Sequence, residues 1–203
     1  METIGRTEFT RDPEDRDPIS AMLFYLALRK PHIVRTFWKQ ATGHGDQRQM
    51  LKFLDNDFEQ ARWRTAANKN AFVLLSKQRF RASSSFSLSL GPPSHKLTSC
   101  PLRRAVFAAC FFLLGNSLKD AVSVLIRQLN DFQLAIAVAR TYEGGTDGPV
   151  LRSILQDTVI PRAFERGHRW LGSWAFWIIN RRDLAVQIIV VRPLLLPLLS
   201  TAC

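Results

Sequence analysis

The sequence has little cysteine and no familiar catalytic motif. Three of its 203 residues are cysteines, and an odd number at wide spacing argues against a disulfide framework and favours a reducing compartment. The four histidines show no spacing with cysteine of the kind that zinc sites use. Motifs such as G-x-S-x-G, H-E-x-x-H and the P-loop are missing. The sequence therefore predicts no enzyme, no metal and no cofactor, and it indicates no particular catalytic or binding residue.

Signals for secretion and for a membrane span are missing as well. The N-terminal text "METIGRTEFTRDPEDRDP" is polar and charged, unlike a secretory signal. No run reaches the ~18 apolar residues of a membrane span. The nearest approach is the end of the chain, "LAVQIIVVRPLLLPLLSTAC", which is broken by Arg192, Pro193 and Pro197. This text predicts a buried helix followed by an irregular end, with a tail anchor as the alternative.

Acidic residues are missing from one long window of the chain. The formal net charge is +11, yet no Asp or Glu lies between Gln60 and Lys119. We call this stretch the basic window, and its basic residues are Arg62, Arg64, Lys69, Lys77, Arg79, Arg81, Lys96, Arg103, Arg104 and Lys119. Such a region can meet anionic lipid, nucleic acid or an acidic protein face. Helical spacing scatters these residues over several faces, which favours an ordinary solvated surface.

Strict alternation of apolar and polar residues is missing too, whereas apolar spacing at i, i+3, i+4 and i+7 dominates. This pattern predicts an all-α protein of short helices joined by tight turns. The expected architecture is an irregular α-solenoid of antiparallel helix hairpins, with a compact helical bundle as the alternative. The predicted segments are a polar tail (1–16), a first helical part (17–81), an insertion (82–104), a second helical part (105–191) and an irregular tail (192–203).

Several short stretches have local roles that compete with functional ones. "EGGTDGPV" is rich in glycine and precedes a helix, so it could face a phosphate, but a helix end followed by a turn is favoured. "DNDFE" groups three acids, for which helix capping is favoured over metal binding or acid–base chemistry. Ser117, with an acid three residues on, resembles a capping box, and Asn130 and Asp131 are expected to cap the next helix.

Tryptophans are the most informative residues present. Trp170, Trp174 and Trp177 follow the spacing i, i+4, i+7, which places them along one side of a helix. Trp63 lies between Arg62 and Arg64. Most of these rings are expected in the core between helices. The alternative is a protein-binding ridge to which one or two of them contribute.

Longer blocks of text carry a family resemblance. They are "AMLFYLALRK", "MLKFLDNDFEQARWRTAANKNAFVLLSKQRF", "FFLLGNSLKDAVSVLIRQLNDFQLAIAVARTYEG", "GPVLRSILQDTVIPRAFERGHRWLGSWAFW" and "RRDLAVQIIV". Together they resemble the C-terminal helical region of the large subunit of the RAVE complex, which also occurs in the DmX-like (rabconnectin) proteins. Members of that family are much larger and carry β-propellers, so the resemblance implies that this chain is a fragment or a shortened product.

The resemblance also implies a function. The family promotes assembly of the vacuolar proton-pumping ATPase by joining its peripheral sector to its membrane sector. The expected role is a non-catalytic scaffold or interaction segment that regulates assembly and vacuolar acidification. Expected partners are peripheral-sector subunits and other RAVE subunits, with no nucleic acid. The expected location is cytoplasmic, peripherally associated with vacuolar or endosomal membranes. The alternative function is a basic helical module that binds anionic lipid or nucleic acid.

The stretch "ASSSFSLSLGPPSHKLTSCPLRR" (82–104) departs from the resemblance, because it separates text that the family keeps nearly continuous. Three interpretations are open: a lineage-specific loop, a phosphorylatable segment rich in serine, or translated intron sequence, which is favoured. The tail 192–203 also leaves the family's text and is given a similar origin. On this interpretation the helices on both sides of the insertion pack against each other as if it were absent.

Overall fold

Helices make up all the regular structure that the chain shows in its described residues. The structure is a computed structural model that describes residues 1–11, 17–83 and 101–190, and for residues 77–83 and 101 it describes the backbone alone. Within these ranges there is no strand, which confirms the all-α prediction. Stacking of the hairpins as a solenoid stays a prediction.

The chain divides into two compact units, Met1–Val138 and Ala139–Cys203. The helices of the first unit are α1 (Glu2–Thr10), α2 (Pro18–Ala27), α3 (Pro31–Gln40), α4 (Gln47–Leu54), α5 (Ala61–Ser83), α6 (Pro101–Leu114) and α7 (Leu118–Gln128). Helix α8 (Phe132–Glu143) begins in the first unit and ends in the second. The second unit continues with α9 (Pro149–Ile154), a π-helical turn (Leu155–Val159), α10 (Ile160–Glu165), α11 (Arg169–Ile178) and α12 (Arg182–Val190).

The core of the first unit lies between α2 and α6. Both helices are apolar nearly all round, the pattern of a helix that is covered on several sides. Helix α6 packs against α2, α5 and α7. The Sγ atom of Cys110 on α6 lies 3.9 Å from the Ile19 carbonyl oxygen on α2. Burial, and then the charge of Asp17, raise the pKa of the Cys110 thiol far above its ordinary value, so this cysteine is structural.

The predicted polar tail over 1–16 is a packed helix in its first ten residues. Phe9 of α1 is buried, and its ring centre lies 4.4 Å from that of Phe37. The Tyr25 hydroxyl donates a hydrogen bond to the Glu2 carbonyl oxygen. Ile4 and Phe9 in polar text were too weak a signal for this helix, because the burial of Phe9 depends on a partner ring from α3. Residues 12–16 lie outside the described residues.

Both ends of the predicted insertion over 82–104 are helical. Helix α5 runs on to Ser83 and α6 begins at Pro101, so only residues 84–100 lie outside the described residues. The Arg103 guanidinium pairs with the Asp17 carboxylate at 2.6 Å, which joins the start of α6 to the start of α2. The helices on both sides pack against each other, as predicted, and the Phe72 and Phe112 rings meet edge to face at 5.0 Å. Origin from an intron stays a prediction. The tail 192–203 also lies outside the described residues.

The predicted helix caps at Asp131 and Ser117 have different outcomes. The Asp131 carboxylate accepts a hydrogen bond from the Leu134 amide at 2.9 Å, which confirms this residue as a cap of α8. The capping box predicted at Ser117 is wrong, because its hydroxyl makes no bond to the α7 backbone. The Ser117 Oγ instead accepts a hydrogen bond from the Asn68 amide of α5 at 3.0 Å. A hydrogen bond to α5 therefore takes the place of the local capping bond that was predicted for Ser117.

A proline explains the unusual helix in the second unit. Helix α9, the π-helical turn and α10 follow one another without a break, and Pro161 sits near the start of α10. Proline has no amide hydrogen to donate to the carbonyl four residues earlier. The turn just before it widens, and the Ile160 amide bonds the Leu155 carbonyl five residues back. This segment supports the hairpin of α11 and α12, because α10 packs against α11.

Candidate protein-binding surface

Helices α11 and α12 form a hairpin. One residue with a left-handed backbone conformation precedes α11, and another lies in the turn between the two helices. Gly167 has φ +67° before α11, and the His168 amide bonds back to the Ala163 carbonyl. Asn180 has φ +65° between the two helices, and the Arg181 amide bonds back to the Phe176 carbonyl. Both are Schellman-type helix ends, for which glycine and asparagine are the usual residues. The turn after α11 therefore brings α12 directly back along it.

The inner side of the hairpin consists largely of small residues. Gly172, Ser173 and Ala175 of α11 are buried together with the larger Phe176. The Ser173 hydroxyl donates a hydrogen bond to the Ala185 carbonyl of α12 at 2.8 Å. Small side chains let two helix backbones approach closely, so α11 turns this side towards α12.

The outer side of α11 carries the three tryptophans. Trp170, Trp174 and Trp177 are 77, 41 and 55% exposed. The prediction that most of them lie in the core is wrong. Both sides of α11 are apolar, and its small residues rather than its large ones face α12. The rings therefore remain on the side away from the helix contact.

Helix α12 extends this apolar surface. Val186 and Val190 are 54 and 73% exposed, and with Arg182 they follow the spacing i, i+4, i+8 along one side of the helix. The Arg182 guanidinium carbon lies 5.3 Å from the centre of the Trp177 ring, a cation–π contact that places this stripe beside the tryptophans. We call Trp170, Trp174, Trp177, Arg182, Val186 and Val190 the tryptophan face. The sequence-based prediction of a ridge did not include the α12 part, although the i, i+4, i+8 spacing of its residues indicates one side of a helix.

The tryptophan face exposes enough ring surface to form the centre of a protein interface. A whole tryptophan side chain buries about 150–250 Å² in a core or an interface, so the exposed fractions leave on the order of 300–400 Å² of ring surface accessible. This area equals the largest apolar patch of a typical monomer, which is often functional. It is about half of what each partner contributes to a standard protein interface. The face can therefore act as the energetic centre of an interface.

The basic window is less uniform than its sequence implies. Arg103 pairs with Asp17, and the Arg62 guanidinium lies 5.2 Å from the centre of the Trp63 ring. Trp63 itself is half-buried, with its ring edge to face with Phe53 at 6.5 Å. Trp63 thus fills part of the space between helices, as expected for most of the tryptophans.

The glycine-rich stretch "EGGTDGPV" is a turn between two helices, and a carboxylate of the same stretch caps the second helix. Gly144 ends α8 with φ +76°, which confirms the predicted helix end. The Glu143 carboxylate then accepts hydrogen bonds from the Val150 and Leu151 amides at 2.9 and 3.1 Å. These amides open α9, so the carboxylate satisfies N–H groups that have no partner within the helix. A side chain at Gly148 would overlap this carboxylate, which explains the glycine there.

The other candidate acidic site also has a local role. In "DNDFE" the Asp57 carboxylate accepts a hydrogen bond from the Glu59 amide at 2.9 Å. Among the described residues, no three His, Cys, Asp or Glu side chains come together as a metal site would require. No helix within those residues is both long and apolar enough to cross a membrane.

Curated relatives are similar to this chain over most of its length. It is 40% identical over 194 residues to Regulator of V-ATPase in vacuolar membrane protein 1 of Saccharomyces cerevisiae, which covers 96% of this chain and 12% of the relative. The protein of the same name from Schizosaccharomyces pombe is 36% identical over 177 residues, 87% of this chain and 12% of the relative. Mouse DmX-like protein 1 is 32% identical over 205 residues, 95% of this chain and 6% of the relative. The chain thus spans a small part of the length of these relatives.

A family match covers all the residues that the structure describes. The family described as RAVE protein 1 C terminal matches residues 1–91 and 100–198. Between these two segments it passes over 92–99, so most of the predicted insertion matches the family. It also runs to residue 198, past the point where the tail was expected to leave the family's text. The chain therefore belongs to the RAVE protein 1 C-terminal family.

Proposed function

We propose that this chain is a protein-binding segment of a RAVE-type regulator of the vacuolar proton ATPase and performs no chemistry of its own. Its partners are subunits of the ATPase peripheral sector or other RAVE subunits. It acts on the cytoplasmic side, in peripheral association with vacuolar or endosomal membranes. The role is scaffolding, and its effect is to promote ATPase assembly and vacuolar acidification.

The exposed tryptophan face carries this proposal. Trp and Arg are the residues most enriched among those that dominate binding energy at protein interfaces. Here three Trp residues and one Arg lie together on the outside of a hairpin whose inner side is fully used for packing. Two of the curated relatives are named as regulators of V-ATPase, which supports the choice of partner.

Capture of the isolated ATPase peripheral sector by the immobilised full chain tests the proposal. A variant with Trp170→Ser, Trp174→Ser and Trp177→Ser should capture at least ten times less. A matched control replaces three comparably exposed apolar residues of the first unit, Ile4→Ser, Val73→Ser and Leu102→Ser, and should capture as the wild type does. Failure of the folded wild-type chain to capture the peripheral sector or any RAVE subunit refutes the proposed function.

A second candidate function is binding of an anionic surface by α5. Arg62 and Lys69 are exposed and lie seven residues apart, on the same side of this helix. No acidic residue occurs anywhere in its sequence. Binding of this kind weakens steeply as salt rises, because it depends on screened charges. Cosedimentation with phosphatidylserine vesicles at two salt concentrations distinguishes it from binding by the tryptophan face.

A further inference from the structure

We infer that α11 inserts as a helical ridge into an apolar groove on a partner protein, and that the rim of this groove carries a carboxylate beside Trp177. The inference rests on the proposed function and specifies the partner surface. It concerns the geometry of the tryptophan face and the position of its single cation.

The spacing of the rings defines the shape of the partner surface. Trp170, Trp174 and Trp177 follow i, i+4, i+7, the anchor pattern of a helix that lies in a hydrophobic groove. At a rise of about 1.5 Å per residue the three anchors span roughly 10 Å along the axis. All three project from the outer side of a helix that α12 supports from behind. The convex element belongs to this chain, so the partner supplies the concave one.

The charge of the tryptophan face defines the chemistry of the groove. Arg182 lies over the Trp177 ring, so burial of that ring also removes the guanidinium from water. An unpaired buried charge is strongly unfavourable, and a carboxylate at the rim of the groove compensates it. Asp183 of this chain does not neutralise Arg182, because its carboxylate oxygen is paired with the Arg181 guanidinium at 3.3 Å. That hydrogen bond is the main cause that lowers the pKa of Asp183, so the Arg181–Asp183 pair stays neutral overall.

The number of cations favours a protein over a membrane as the occupant. Anionic lipid is typically recognised by clusters of about four to eight Lys or Arg side chains. Among the described residues, the tryptophan face contains one, Arg182; the neighbouring Arg181 is paired with Asp183, and the Arg169 guanidinium donates to the Ile189 carbonyl of α12. A single cation at a fixed position suits a single carboxylate at a fixed position. The tryptophan rings also contribute fully to binding affinity only when the partner surface has a complementary shape, as a protein groove has.

Binding affinity for the isolated ATPase peripheral sector tests this inference with single substitutions in the full chain. Trp174→Ala removes the central anchor and should weaken the affinity at least 30-fold, since binding energy concentrates near the centre of an interface. Trp174→Phe keeps a ring and should cost less than fivefold. Arg182→Glu places two carboxylates together and should cost at least tenfold, whereas Arg182→Lys should cost much less. Val73→Ser is the exposed apolar control and should have no effect.

Each outcome bears on one of the two proposals. If the wild-type chain binds and Trp174→Ala binds equally well, the ridge inference is overturned while the proposed function stands. Loss of binding in Trp174→Ala with no loss in Arg182→Glu overturns the acidic rim. Stronger binding to phosphatidylserine vesicles than to the peripheral sector, with both substitutions weakening vesicle binding, overturns the protein groove. A photoreactive residue at position 174 that cross-links to a groove lined by apolar side chains and edged by Asp or Glu supports the inference.

Discussion

Substitution of Gly115 by alanine is the sharpest test of how α5 and α6 fit together. A methyl group at this position would overlap the Asn68 side chain, at 2.7 Å from its Cγ, and would lie 3.1 Å from the Arg64 carbonyl oxygen. Asn68 has little room to move, because its amide donates the hydrogen bond to Ser117. The structure must either break this bond or move two packed helices apart. Gly115→Ala should therefore be strongly destabilising.

The magnitude follows from the two costs. Insertion of a methyl group into a packed site costs about 1–3 kcal/mol, and loss of the hydrogen bond adds about 0.5–1.5 kcal/mol. The expected decrease in the free energy of unfolding is about 2–4 kcal/mol. With a denaturant slope of about 2 kcal/mol/M, the urea midpoint falls by roughly 1–2 M. Circular dichroism at the helix band during urea titration measures this shift.

A double substitution and a control make the result decisive. In the background Asn68→Ala the clash with the side chain is gone, so adding Gly115→Ala should cost less than about 1 kcal/mol. Gly43→Ala is the control from the same unit, because a methyl group there meets nothing within 4 Å. A midpoint for Gly115→Ala that equals the wild-type value, or a cost that persists undiminished in the Asn68→Ala background, refutes this account of the α5–α6 contact.

Three further substitutions or treatments test local features. Asp17→Ala removes the cap of α2 and leaves the half-buried Arg103 without its carboxylate, so we expect a loss of about 2–3 kcal/mol in urea unfolding, against none for the exposed Asp147→Ala. Glu143→Ala should cost about 1–2 kcal/mol because two α9 amides lose their acceptor, and an equal stability would contradict the capping role. In the background Cys100→Ser and Cys203→Ser, Cys110 should resist alkylation at pH 8.5 until the chain unfolds, since burial raises the pKa of its thiol; fast labelling of the folded chain would show that the site is open.

Most features that depend on neighbouring residues in sequence could be predicted, with the capping box at Ser117 as the exception. The cap at Asp131 and the left-handed end at Gly144 each follow from one or two adjacent residues. The packing of α5 against α6 across the undescribed stretch was predicted because both texts matched one family pattern. The cap and the helix end are local signals that do not need the tertiary structure, whereas the α5–α6 packing was inferred from the family resemblance.

Features that depend on which side of a helix faces its neighbour could not be predicted. Helix α11 offers large rings on one side and small residues on the other, and both sides are apolar. The side that faces α12 is the one on which Ser173 bonds the Ala185 carbonyl and Gly172 lies beside Ile188. Phe9 is the opposite case, since its burial required the Phe37 ring from a helix that begins more than twenty residues later.

Oxidative footprinting of the tryptophans tests the central claim most directly. In the free chain, hydroxyl radicals should oxidise Trp170, Trp174 and Trp177 readily, and the fully buried Trp38 should stay unmodified as an internal reference. In complex with the ATPase peripheral sector, the three exposed rings should become protected by at least fivefold while Trp38 stays unchanged. A complex that forms while all three rings remain as reactive as in the free chain would contradict the claim that the tryptophan face is the binding surface.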